Sequence, residues 1–151
     1  MSDISVRPLV EGDLEGLLAL YRQLIPDDLP LDADTARLRF TEMLARPGLT
    51  VYGGFVDASL ASSCVLIVVP NLTRGGRPYA FIENVVTDET RRLAGLGRAT
   101  VRHAVDAALS ADCYTVRLMT GEKTPGSLQF YEKCGFKRTK HGLEVRKVAP
   151  R

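Results

Sequence analysis

The middle of the chain permits little besides a sheet. LTVYGGFV (49–56) alternates, ASL (58–60) makes a turn, and ASSCVLIVV (61–69) continues as a second strand. After the loop PNLTRGGRP (70–78) comes a third run, YAFIENVVT (79–87), again rich in aromatic and β-branched residues. Helical patterns flank these strands. Asp13 can cap a helix whose apolar residues fall at Leu14, Leu17, Leu18 and Tyr21, and Pro26 ends it. A second helix is predicted from about Thr35, with Ala36, Phe40, Met43 and Leu44 on one face and RPG closing it. A third carries Val101, Ala104, Val105 and Ala108 at i, i+3, i+4 and i+7. DISVRPL (3–9) reads as a first strand and YTVRLMT (114–120) as a later one. A short helix is predicted from Pro125 to about Lys133, with Gly135 just past its end, and a last strand between Lys137 and Val148. The order is β-α-α-β-β-β-α-β-α-β. It predicts one mixed α/β domain over 1–151, built around a single sheet.

Several function classes are disfavoured by composition. The 20 basic and 18 acidic residues are interleaved and leave a net charge of +2, without the basic stripe of a general nucleic-acid binder. No apolar run is long enough to span a membrane. MSDISVRPL lacks the apolar core of a signal peptide, so export is not expected and the cytoplasm is. Cys64, Cys113 and Cys134 form neither a disulfide framework nor a metal-ligand spacing. With His103 and His141 isolated, no metal site is expected.

RRLAGLGRAT (91–100) places two glycines one residue apart, behind two arginines and ahead of a helix. Glycine lets a ligand approach the main chain without a Cβ in the way. The helix start adds unpaired N–H groups and the positive end of its dipole, which together make an anion site. The same spacing also fits a tight turn among solvated arginines. A Walker A loop is excluded because Arg98 and Ala99 follow Gly97. A dinucleotide fingerprint fails because Thr100 stands where its third glycine belongs, and because the preceding strand carries Glu83 and Asn84.

What remains is Arg-x-x-Gly-x-Gly, given by Arg92, Gly95 and Gly97. IENVVTDETRRLAGLGRA resembles the fourth strand, pyrophosphate loop and third helix of the GNAT acyltransferases, the GCN-five-related N-acetyltransferases. LQFYEKCGFKR is similar to that family's last helix and following strand, and VRPLVEGDLEGLLALY to its N-terminal segment. The resemblance implies a central mixed, mostly antiparallel twisted sheet with helices on both faces. It also implies an N-acetyltransferase that takes acetyl-coenzyme A (coenzyme A) and transfers the acetyl group directly to a primary amine of an unidentified acceptor, a small molecule or a peptide.

Carried over by position, Arg92, Leu93, Ala94, Gly95, Leu96, Gly97 and Arg98 would face the pyrophosphate, and Val85, Val86 and Thr87 would offer main-chain groups to the pantetheine arm. Leu93-Ala94 departs from the family's frequent Gly-Arg or Gly-Lys, and Thr124 stands where an asparagine is common. Tyr131 occupies the place of a tyrosine near the thioester sulfur, where a phenol of pKa ~10 can share a proton with a thiol of pKa ~8.5. Its helical spacing with Leu128 and Cys134 fits core packing equally. Glu83 shares a strand face with Phe81 and Val85, an apolar setting in which burial would tune a carboxylate towards a base for the amine proton. A structural partner for an arginine is the other reading. Asp27, Asp28, Asp32 and Asp34 form either an acidic rim for a cationic acceptor or a set of solvated helix caps. Cys134, with no histidine partner, is read as packed helix. The competing function is a catalytically weak acyl-coenzyme A sensor, which would keep the loop and lose the roles of Tyr131 and Glu83. Homodimers are common among relatives.

Overall fold

The computed structural model describes residues 3–121 and 124–149. Its first compact unit runs to Leu118 and holds one five-stranded sheet in the order β1-β2-β3-β4-β5. The strands are β1 (Ile4–Pro8), β2 (Leu49–Val56), β3 (Ser59–Val69), β4 (Tyr79–Thr87) and β5 (Val116–Arg117). The first four pair antiparallel, and β5 lies parallel to β4.

Alternation along the strands sends residues to opposite faces. On one face Val51, Phe55 and Val65 meet Leu9, Leu17 and Phe40, from the helices α1 (Leu14–Leu24) and α2 (Ala33–Ala45) and the chain before them. On the other face Val56 and Ala61 pack against Leu96, the first residue of α3 (Leu96–Ser110). The predicted α3 stripe is the buried one: Val101, Ala104, Val105 and Ala108 all turn inward. Each buried valine or leucine of this kind contributes about 1.5–3 kcal/mol. The close seat of α3 depends on Gly54, where a Cβ would overlap Thr100 Oγ1 and lie 3.0 Å from Leu96 Cδ1.

Three readings are corrected. The sheet acquires no strand between Lys137 and Val148 among the described residues: Leu143 and Val145 are exposed, so the alternating apolar side chains there have nothing to bury against. Asp13 sits at the start of α1 but does not cap it. Its carboxylate instead accepts from Arg7 at 2.8 and 3.0 Å and from the Val10 N–H at 2.8 Å, and the Arg7 hydrogen bonds hold it below the usual carboxylate range. Glu83 is exposed rather than enclosed, and Val85 does not share its face. The register places Glu83 opposite Val65 and Val86 opposite Ser63, so one extra residue of β4 is accommodated as a bulge. That bulge brings Val86, not Val85, onto the face of Phe81 and Glu83.

The second unit, from Met119, contains α4 (Ser127–Lys133). Substituting Gly54→Ala is expected to destabilise the chain by about 1–3 kcal/mol, the usual cost of overpacking. Denaturant unfolding checks this, and an unchanged midpoint would contradict the tight α3 seat.

Candidate functional site

Two adjoining stretches of the first unit leave main-chain groups available. The first is β4 beyond Phe81. Strand β5 pairs only with Ala80 and Phe81, so from Ile82 onward β4 has a strand neighbour on one side alone. Within that stretch Asn84 takes φ +50°, the left-handed conformation that asparagine tolerates better than most residues. It forms the bulge together with Val85. Val86 is buried, while Val85 and Thr87 are half-buried. The Val86 carbonyl accepts from the Ser62 hydroxyl at 3.0 Å, and the Thr87 carbonyl from Arg92 Nε at 3.4 Å.

The second stretch is the loop into α3. Gly95 is the residue before the helix, at φ +81°, and no side chain caps the helix there. A left-handed residue with no atom within 4 Å of a would-be Cβ leaves a cradle open above it. The Ala99 N–H bonds to the Gly95 carbonyl, whereas the N–H groups of Leu96, Gly97 and Arg98 are the first of the helix and lack intrahelical acceptors. The positive end of a 15-residue helix lies at the same point, where Leu96 and Gly97 are buried and Arg98 is exposed. Arg91, Arg92 and Arg98 are exposed around this point. Leu93 is fully exposed at φ +67°, a conformation glycine would adopt at lower cost. Donors, dipole and cations make this a place for a polyanion.

The loop is tied to α1. Gln23 Nε2 donates to Asp88 Oδ2 at 3.0 Å, and the Glu89 N–H donates to Gln23 Oε1 at 2.9 Å. Hydrogen bonds from the Thr90 hydroxyl, and then from Gln23, hold the Asp88 carboxyl below the usual carboxylate range. This clamp fixes the chain where it leaves β4 for the loop.

The other sequence candidates fall as follows. Glu83 lies two residues before Val85 on the strand, its side chain exposed on the face that carries α1 and α2. Tyr131 lies on α4 in the second unit, edge-on to Phe130 at 5.0 Å and to Phe136 at 6.1 Å between centroids. Thr124 is exposed ahead of that helix. Three of the four aspartates are engaged locally: Asp32 accepts from the Thr35 N–H at 2.9 Å as the cap of α2, Asp34 pairs with Arg37, and Asp28 accepts from the Leu29 N–H at 2.8 Å. All three cysteines are buried, and burial pushes the Cys64 thiol up to about 12, far from a reactive thiolate. No cluster of three or more His, Cys, Asp or Glu able to hold a metal occurs among the described residues, and no helix there is long and apolar enough to cross a membrane. A shallow recess lined by Pro47, Gly48, Val68, Pro70 and Pro78 carries no group able to move a proton.

Sequence reasoning missed two buried polar atoms without hydrogen-bond partners among the described residues, Tyr21 Oη and Arg117 Nε. Tyr21 reads as one more apolar member of the α1 stripe, and Arg117 hides inside an apolar strand pattern. The Tyr21 hydroxyl lies beside Asn84 of the bulge without reaching hydrogen-bond geometry, and burial pushes the phenol up to about 12.

Comparison with known proteins identifies the family. Residues 17–136 match the Acetyltransferase (GNAT) family. A glucosamine 6-phosphate N-acetyltransferase of Trypanosoma brucei brucei is 35% identical over 137 residues, covering 89% of this chain and 90% of that protein. Glucosamine 6-phosphate N-acetyltransferase 1 of Oryza sativa subsp. japonica is 35% identical over 136 residues, covering 87% and 79%. The solved structure of a putative acetyltransferase from Agrobacterium tumefaciens str. C58 superposes with a TM-score of 0.92 at 48% identity, over 95% of this chain and 99% of that one.

Because Tyr21 Oη lacks a partner, Tyr21→Phe is expected to leave the melting temperature unchanged or raise it. With the phenol held protonated in the folded state up to about 12, the unfolded chain loses its proton first, so stability falls as pH rises from ~10 towards that value. The Phe variant should lose part of that fall in alkaline denaturant titrations. A clear drop in melting temperature at neutral pH would instead show that the hydroxyl is bonded.

Proposed function

The chain belongs to the GNAT acetyltransferase family, and from that premise we propose that this N-acetyltransferase moves the acetyl group of acetyl-coenzyme A directly onto the primary amine of a phosphorylated amino sugar. The family uses acetyl-coenzyme A as acyl donor, and its thioester supplies the activated acetyl group. The acceptor reading rests on one observation, the 35% identity to a glucosamine 6-phosphate N-acetyltransferase across 89% of the chain.

In this reading the residues divide the work by chemistry. The amides of Leu96, Gly97 and Arg98, with Leu93, Ala94, Gly95 and the Arg92 guanidinium around them, hold the pyrophosphate. Main-chain groups of Val85, Val86 and Thr87 hold the pantetheine arm at the free edge of β4. Holding both ends of the donor converts the encounter of amine and thioester into a positioned one. Glu83, exposed on the face of β4 shared with α1 and α2, takes the proton from the acceptor ammonium, directly or through water. The Tyr131 phenol gives its proton to the departing thiolate, which the match between phenol and thiol pKa values permits. Direct transfer agrees with three buried cysteines, none of them a plausible nucleophile. The family match from residue 17 to residue 136 runs through both compact units, which supports reading 1–151 as one acetyltransferase domain.

Release of free thiol, measured with glucosamine 6-phosphate, unphosphorylated glucosamine and an amine-bearing peptide, tests the acceptor. Turnover is expected with the phosphorylated sugar. Binding of acetyl-coenzyme A with no turnover of any amine would favour the sensor, and turnover of the peptide alone would replace the sugar. Tyr131→Phe is expected to lower kcat roughly 10²- to 10⁴-fold with the KM for acetyl-coenzyme A unchanged, and wild-type kcat across the pH profile would remove the phenol from the mechanism.

A further inference from the structure

At the end of β4 opposite the α3 loop, two arginines converge on one ring. Arg117 of β5 lies 5.7 Å from the centroid of Tyr114, and Arg74, from the turn Arg74–Gly76, lies 5.6 Å from it. Arg117 is also 5.4 Å from Tyr79 and 6.0 Å from Phe81, so three rings surround its guanidinium. Its Nη2 donates to the Tyr114 hydroxyl at 2.9 Å, while its Nε is buried and unpaired. The carboxylate on the neighbouring loop, Asp112, belongs to Arg77 at 3.5 Å. Neither Arg74 nor Arg117 forms an ion pair among the described residues.

This arrangement is costly as it stands. A half-buried guanidinium with an unmet donor loses hydration without recovering it. A second cation on the same ring adds repulsion. The backbone around Tyr114 is held firmly: its N–H donates to Pro78 at 2.9 Å, and the Ala80 N–H donates to Thr115 at 3.0 Å. The ring between the two charges is therefore held by a fixed frame. Guanidinium groups held this way suit the tetrahedral, doubly charged oxygens of a phosphate monoester.

Position completes the argument. Arg117 pairs in register with Phe81, and Phe81 and Glu83 share a sheet face. Two residues along a strand is about 7 Å, comparable to the width of a sugar ring. The cations thus lie on the far side of Glu83 from the bulge and the α3 loop. A ligand bridging Glu83 and Arg117 would carry its amine at one end and its anion at the other.

We propose that Arg117, assisted by Arg74, binds the phosphate monoester of the acceptor and thereby sets selectivity for a phosphorylated amine. The proposal rests on the reading that the acceptor is a phosphorylated amino sugar, and the test separates the two. Wild type, Arg117→Met and Arg74→Gln are assayed with glucosamine 6-phosphate and with glucosamine. Arg117→Met should raise the KM for the phosphorylated sugar roughly 10- to 100-fold, the range for loss of a charged hydrogen bond. The KM for acetyl-coenzyme A and the rate with glucosamine should stay put, so discrimination between the two sugars collapses. Arg74→Gln should do the same to a smaller extent. Arg117→Lys, which keeps the charge and loses the fork, replaces Arg117→Met if the latter does not fold, with a smaller rise expected. Unchanged discrimination in these variants overturns the proposal.

If wild type turns over neither sugar, the acceptor reading fails, and inorganic phosphate then decides the role of Arg117. With the α3 loop saturated by coenzyme A, phosphate should raise the melting temperature of wild type and not of the Arg117 variant. An equal rise in both, or none in wild type, overturns the assignment.

Discussion

Among the described residues, strand β4 pairs with β3 along one edge, interrupted at the bulge, and with β5 at only two residues of the other, and the proposed chemistry depends on that asymmetry. An open strand edge presents main-chain donors and acceptors to whatever arrives, which proteins usually suppress because another chain can pair there. Here the bulge at Asn84–Val85 changes the twist and phase of the strand just where β5 leaves it. The edge remains open to an extended ligand while being a poor template for a flat strand. In the proposed mechanism the pantetheine arm occupies it.

The frame around this edge is made rigid by ordinary packing. Leu17, Phe40, Val51, Phe55 and Val65 fill one face of the sheet, while the buried stripe of α3 closes the other. The helix that offers its N-terminal amides is thus the one pressed against Gly54 on its opposite side. A shift of α3 along the sheet would move the donors away from the β4 edge. The Gln23–Asp88–Glu89 clamp holds the intervening chain from the side of α1. Each link is modest in energy, and their value lies in fixing position.

Much of this was legible in the residues. The runs 49–56 and 79–87 are the observed β2 and β4, because apolar alternation with β-branched residues at that length leaves no helical alternative. The α3 stripe and the Gly95 turn were readable for the same reason: local chemistry alone specifies them. What failed depended on neighbours. YTVRLMT shrinks to Val116–Arg117, which pairs with Ala80 and Phe81 and then leaves the edge of β4. The alternating tail 137–148 has no pairing strand among the described residues. The bulge changed the phase of β4 after Glu83 and put Val86, not Val85, on its face, a consequence of register that no single strand announces. Asp13 went to Arg7 instead of to its helix, since a bidentate cation outcompetes a lone N–H. The unmet donor on Arg117 came from tertiary placement, invisible in a strand pattern.

The central claim is that main-chain amides of the α3 start and the β4 edge grip the donor. Titrating isotope-labelled protein with acetyl-coenzyme A and following backbone amide resonances tests it most directly. The account expects the largest shifts at Gly95, Leu96, Gly97 and Arg98 and at Val85 to Thr87, saturating together. Saturable binding that leaves those amides unmoved while others respond would contradict it.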